Sequence, residues 1–358
     1  MRNNRKLFLI LFLTSSLTAI QFLLPESSKI VSFYNIFIYH PFQSLRNIIF
    51  SIVPFSIGDI LYILALIALI YFILQCLWYI LRIRKHYQQL SHTVLKSLVV
   101  LLLIYAVFIL GWGGNYYKPS LASYWQLDQM IGDKDSILVP FDQYLIKKLN
   151  DYEAGYQNRN FKTIDKQAQN YYREYTDSRT RKYGVKVKAS LFGNALQYFG
   201  IQGYFNPWTG EAQVNKNLPS FMLPFVICHE MAHQSGIAAE DDANLLSYAI
   251  STTVPDSVFR YSAYFNIWLY THAKVRMRDS ALAKTLLQSL NRITLAQLDT
   301  LKHIRKRYAS SISDYSGLLY DGYLKLHHQK DGIGSYNKVT ISAWELEHKP
   351  RGRFIEIP

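Results

Sequence analysis

The stretch Ile57 to Leu81, IGDILYILALIALIYFILQCLWYIL, holds one charged residue, Asp59, in 25 positions. A hydrocarbon core about 30 Å thick needs roughly 20 residues of helix to cross it, and in lipid every backbone polar group must be satisfied within the segment. This stretch can therefore only be a membrane-spanning helix. Two more runs meet the same test, from about Leu7 to Leu24 and from about Leu95 to Trp112. Arg2, Arg5 and Lys6 precede the first run as they would in a signal peptide, but no small-residue cleavage pattern follows, and it reads as an anchor. By the positive-inside rule those three residues and the 82–92 loop, with Arg82, Arg84 and Lys85, are cytoplasmic. Three spans then place everything after Trp112 outside the cytoplasm. The expectation is a multi-pass cell-membrane protein, whose C-terminal domain is periplasmic in a cell with two membranes.

Between the first two spans, residues 29–55 mix Phe33, Tyr34, Phe37, Tyr39, Phe42 and Phe50 with Lys29 and Arg46, which suits a segment at the membrane interface or a loop packed on protein. The domain boundary is placed after residue 112: 1–112 is the membrane region, and 113–358 is the extracytoplasmic domain, entered through a linker at Gly113–Pro119. The formal net charge of +14 is spread over the second half with no nucleic-acid module, so the bilayer is the expected partner and nucleic acid is not. Cys76 lies in an apolar run and Cys228 beside a candidate site, so the two read as free thiols.

In the second domain, 138–150 and 160–182 carry helical periodicity. Val185, Val187, Ala189 and Leu191 alternate with Lys186, Lys188 and Ser190, as in a half-buried strand. Leu196–Phe199 and Glu211–Asn215 are further strand candidates around the turn-rich Asn206–Gly210, and the latter could be an edge that an extended peptide joins. From Leu223 to about Arg307 the chain reads as helix, with Gly332–Tyr336 a later turn-rich segment. The fold class expected is α+β: three transmembrane helices, then a mainly helical domain with a small antiparallel sheet before its central helix.

That helix carries His229-Glu230-Met231-Ala232-His233. Histidines four apart project from one face of a helix and can bind one ion, and Glu230 can serve water in the remaining coordination position. Zinc acidifies such a water and a neighbouring carboxylate takes its proton, which is what amide hydrolysis requires. A catalytic zinc takes three protein ligands, and the next acids are Glu240, Asp241 and Asp242. Gly236 can end the first helix, and a second helix from Ala239 to Ser251 then carries the acids in its first turn. Glu240 is the third-ligand choice, because it shares a face with Asn244, which could orient a ligand histidine; Asp241 and Asp242 suit a helix N-terminus.

Residues 229–244, HEMAHQSGIAAEDDAN, resemble the gluzincin arrangement of HExxH followed by a glutamate ligand, with Asn244 where an aspartate is usual. Ala239 stands where metzincins have their third histidine, which argues against that class. The whole chain resembles the bacterial membrane family called domain of unknown function 3810, through its three N-terminal helices, WGGNYY at 112–117, NPWTGEAQVN at 206–215, the HExxH-to-EDDAN block, YDGYLK at 320–325 and GIGSY at 332–336. The resemblance implies a zinc-dependent, zincin-like metallopeptidase and supplies no substrate. It also brings forward Tyr336, Tyr320 and Tyr261 as candidates for oxyanion stabilisation, although ordinary packing explains any one of 28 tyrosines better. His327 and His328 read as surface residues. The functional expectation is a membrane-anchored metallopeptidase acting on a protein or peptide of the envelope. The rival is a non-enzymatic protein with the same fold that binds partners or senses metal.

Overall fold

The structure is a computed structural model, which describes residues 2–23, 28–127, 136–152, 158–176, 184–309, 336–349 and 355–357. The chain divides into two compact units, one of residues 1–118 with 206–210, the other of 119–205 with 211–358.

In the first unit, α1 (Arg2–Leu23), α4 (Ile57–Leu81) and α5 (Ile83–Gly111) are each long and apolar enough to cross a membrane. The lipid-length surface of α4 is exposed almost throughout, as expected when the apolar phase lies outside the protein. The 82–92 segment is not the loop expected from hydropathy. α4 and α5 are separated only by Arg82, and α5 starts at Ile83 with one non-helical residue, His86. Hydropathy sees only the lipid-crossing part, whereas backbone bonding continues past it: 29 residues give about 43 Å of helix, longer than the hydrocarbon core. α1 and α5 run parallel, since Lys6 bonds His92 near their starts and Gln21 donates to the Tyr105 hydroxyl near their ends. The basic clusters at residues 2–6 and 82–85 therefore share one end of this unit.

At the other end, α2 (Ser28–Phe33), a π-helical segment (Tyr34–Tyr39) and α3 (His40–Phe50) form a continuous helical run. The Gly113–Tyr117 segment is not an open linker but a 3-10 turn with Gly113, Gly114 and Asn115 buried. Arg46, itself buried, donates to the carbonyls of Gly111 and Pro207, and Gln43 donates to the carbonyl of Gly210, so the 206–210 turn is held by this unit.

The second unit is mostly helical. It comprises α6 (Leu121–Tyr124), α7 (Leu138–Asp151), α8 (Phe161–Tyr175), α9 (Ala195–Tyr198), α10 (Leu223–Gln234), α11 (Glu240–Thr253), α12 (Ser257–Arg278), α13 (Ser280–Leu287), α14 (Arg292–Tyr308) and α15 (Tyr336–His348). Its strands are β1 (Val187–Ala189), β2 (Gly203–Asn206) and β3 (Glu211–Val214), in the order β1-β3-β2. The sheet is mixed, not antiparallel as expected: β1 pairs in parallel with β3, Val187 opposite Ala212. A parallel pair needs a long crossover, and residues 190–210, with α9 and β2, supply it. Two strand assignments change accordingly. Leu196–Phe199 lies within that crossover and is helical over Ala195–Tyr198, because a four-residue apolar run carries no period of its own. Glu211–Val214 is the central strand, buried along its length, so it cannot be the edge; β2 and β1 are the edges. The alternation at 185–191 also breaks. Lys188 is buried in an ion pair with Glu211, while Leu191 is exposed. A paired charge removes the reason for a lysine to face water.

The core forms around α10, α11 and α12. Ile227, Met231, Ala232, Leu246, Ile250, Phe265 and Trp268 are all sealed within it.

Candidate metal centre

α10 is apolar on nearly every face, and of its described residues only His229 is not fully buried. Such a helix needs partners for its orphan backbone groups at both ends. Pro224 occupies the first turn, where no amide is missed, and the Phe225 amide donates to Ser262 Oγ at 3.1 Å. In mid-helix the Tyr172 hydroxyl donates to the Cys228 carbonyl, which ties α8 to α10. At the C-terminus Gly236 takes φ +93°, the Ile237 amide returns to the Ala232 carbonyl and the Gly236 amide to the His233 carbonyl. This is a Schellman turn, whose left-handed position favours glycine.

The turn also positions a ligand. It brings the Ile237 carbonyl to 2.7 Å from His233 Nδ1, which must donate to it, leaving Nε2 as the atom that can bind a metal once its proton is lost. His229 Nε2 lies 3.1 Å from His233 Nε2, with the rings perpendicular. Ala239 is extended and starts α11, placing Glu240 in the first turn. One Glu240 oxygen is 3.3 Å from His229 Nε2 and the other 3.4 Å from His233 Nε2. The three side chains can together hold a metal ion, with one ligand atom from each all within 4.8 Å of one another. The charges are mutually adjusted. Burial disfavours a charged His233, but the adjacent Glu240 carboxylate more than reverses this, to about 9, and burial of Glu240 is likewise outweighed by the histidines, which hold it well below the ordinary carboxylate range.

Glu230 is buried beside this cluster. Burial pushes its carboxyl up to about 7 against the lowering pull of His229 and His233, and its Oε2 makes no hydrogen bond. β2 passes over it so closely that a Cβ on Gly203 would lie 2.5 Å from Glu230 Oε1 and 2.8 Å from the backbone oxygen of Gln213. Only glycine fits there.

The remaining expected residues lie elsewhere. Asp242 accepts the Leu121 amide at 2.9 Å, and burial raises the Asp241 carboxyl despite the nearby charge of Lys338. Asn244 is buried one turn after Glu240, but its Nδ2 makes no hydrogen bond, and His233 is oriented by Ile237 instead. Tyr261 is sealed in the core with its hydroxyl bonded to Thr294 and Gln297. Tyr320, His327, His328, Gly332–Ser335 and the Tyr336 side chain lie outside the described residues. Tyr270 of α12 was not foreseen: burial and the Glu240 carboxylate both raise its phenol, which places it within electrostatic reach of the cluster. No spacing signal marks it, since it is one of many tyrosines and its helix packs against the site only in three dimensions.

Substituting Gly236 with alanine forces a side chain into the left-handed region and displaces the Ile237 carbonyl from His233. The expected cost is about 1 kcal/mol of stability and about 10–100-fold in metal affinity. Competition titration against a chromophoric chelator measures the second; unchanged affinity would remove Ile237 as an orienting group.

A family model described as Protein of unknown function (DUF3810) matches residues 34–341. No curated protein and no solved structure matches the chain.

Proposed function

The chain belongs to the DUF3810 family, and from that premise we propose that it is a membrane-anchored zinc metallopeptidase acting on an envelope protein or peptide. The observation that carries this reading is the ligand triangle. Zinc bonds of about 2.0–2.2 Å set the edges of a coordination tetrahedron at about 3.3–3.6 Å; here the two imidazole Nε2 atoms lie 3.1 Å apart, and the Glu240 carboxylate faces both, one oxygen 3.3 Å from His229 and the other 3.4 Å from His233. Two imidazoles and one carboxylate are a donor set that suits zinc, and the cluster holds three ligands among the described residues, as a catalytic site requires. Cys228, the nearest thiol in sequence, is fully buried, and burial pushes its thiol up to about 12, which argues against a closed structural site.

When bound, zinc would supply Lewis acidity, polarising a carbonyl and acidifying water. The protein's own part falls to Glu230. In the metal-free site burial pushes its carboxyl up to about 7, and its Oε2, which makes no hydrogen bond, is the atom that would take a proton from water and return it to the leaving amine. Gly203 lets β2 lie directly over this carboxylate, and β2 is an edge of the sheet. A substrate peptide joining that edge as a further strand would be extended alongside Glu230.

The parallel α1 and α5 support the proposed sidedness, because they gather both basic clusters at one end, the cytoplasmic end by charge bias, and send residue 119 off from the other.

The test uses the full chain in detergent. Hydrolysis of an extended peptide library is expected to cease with a zinc chelator and to return with one equivalent of zinc but not with magnesium. Hydrolysis indifferent to chelation would refute the mechanism. A zinc-loaded protein that cleaves nothing would favour the binding-protein reading.

A further inference from the structure

We propose that the helical run of α2, the π-segment and α3 lies in the plane of the membrane, with one face sunk in the leaflet opposite the basic end of the first unit. The run is amphipathic in an inverted sense. Its buried face carries the polar Asn35, Gln43 and Arg46 beside Val31, Tyr34 and Tyr39, whereas its exposed face is mainly Ile30, Phe33, Ile36, Phe37, Leu45, Ile48 and Ile49, each 39–65% exposed. On a surface facing water these two sets would be exchanged. An apolar face this long belongs against hydrocarbon, and the unit already carries three lipid-length helices with equally exposed apolar surfaces.

Packing fixes the direction of the run. Tyr34 fills the space beside Gly114, Tyr39 meets Trp112 with ring centroids 6.2 Å apart, and Arg46 bonds the Gly111 carbonyl. Residues 34 to 46 cover about 18 Å of helix, yet the three partners just named all lie within residues 111–114, at the very end of α5, and the 206–210 turn holds Gln43 and Arg46 as well. A helix spanning beside α5 would meet it along its length. This one crosses its end. Connectivity agrees, since α1 is parallel to α5 and α4 returns antiparallel through Arg82, so the run begins and ends at one end of the three spans. Lys29, exposed at its start, can reach phosphate headgroups.

The test is depth measurement on the full chain in nanodiscs, in a Cys76→Ser background, with nitroxides at Ile48→Cys and, for reference, Leu69→Cys in α4. The buried Cys228 is out of reach of the reagent. The label at 48 is expected to collide with lipid-phase oxygen and to lie about 5–10 Å below the headgroups, much shallower than that at 69. Equal depth would make the run a fourth span and overturn the proposal. So would preferential access to an aqueous nickel complex, or shielding from both collision partners, which would mean that water or protein covers this face.

Discussion

Replacing Glu230 with glutamine is expected to lower kcat/KM for peptide hydrolysis by about 10²–10⁴-fold, the usual contribution of a positioned general base, while zinc content stays at one per chain. Glutamine keeps the shape of the side chain under β2 and the contact at Gly203, so the fold and the three ligands are left alone. What it removes is the proton acceptor. If Glu230 were a packing group whose raised pKa merely reflects burial, its neutral isostere would hydrolyse normally, since a carboxyl near pKa 7 is half neutral already at neutral pH. Retained hydrolysis in the purified variant would therefore remove Glu230 from the mechanism.

The second large effect is on the metal. His233→Ala is expected to leave the purified protein without zinc and to abolish the stabilisation that zinc gives the wild type. For free zinc at about 1,000 times Kd that stabilisation is about 4 kcal/mol, and it is read directly as a shift in Tm on chelation. Without metal, His233 and Glu240 hold one another as an ion pair, so the variant also leaves the buried Glu240 carboxylate with His229 as its remaining histidine partner. Zinc must displace the proton that His233 keeps up to a pKa of about 9, so wild-type affinity should rise with pH across the range from 6.5 to 9. A variant that still binds zinc and shows the same thermal shift would place the metal elsewhere.

Much of the centre was legible because its determinants are local. The i, i+4 histidines, the glycine that ends α10 and the acids that start α11 all fall within the short stretch 229–242, and the apolar content of 223–234 marks the helix as buried. What escaped depends on backbone groups or on distance in sequence. The carbonyl that orients His233 belongs to the backbone of Ile237, and any residue could have supplied it. β2 is four residues hidden before a Pro-Trp-Thr-Gly turn, and its place at the edge follows from a crossover that no periodicity records. The strand pattern at 185–191 misled because Lys188 finds Glu211 across the sheet and goes inside. In the first unit, hydropathy located three helices long and apolar enough to cross a membrane, but not the polar first turns of α5, nor the burial of the 113–115 backbone that composition reads as a linker.

His229, His233 and Glu240 are proposed to share one zinc ion. X-ray absorption at the zinc edge of the full-length protein tests this most directly. The expected spectrum has two imidazole nitrogens and carboxylate or water oxygen at about 2.0–2.2 Å, with no sulfur, and the signal is lost in His233→Ala. A zinc–sulfur shell near about 2.3 Å, or a spectrum unchanged by that substitution, would contradict the account.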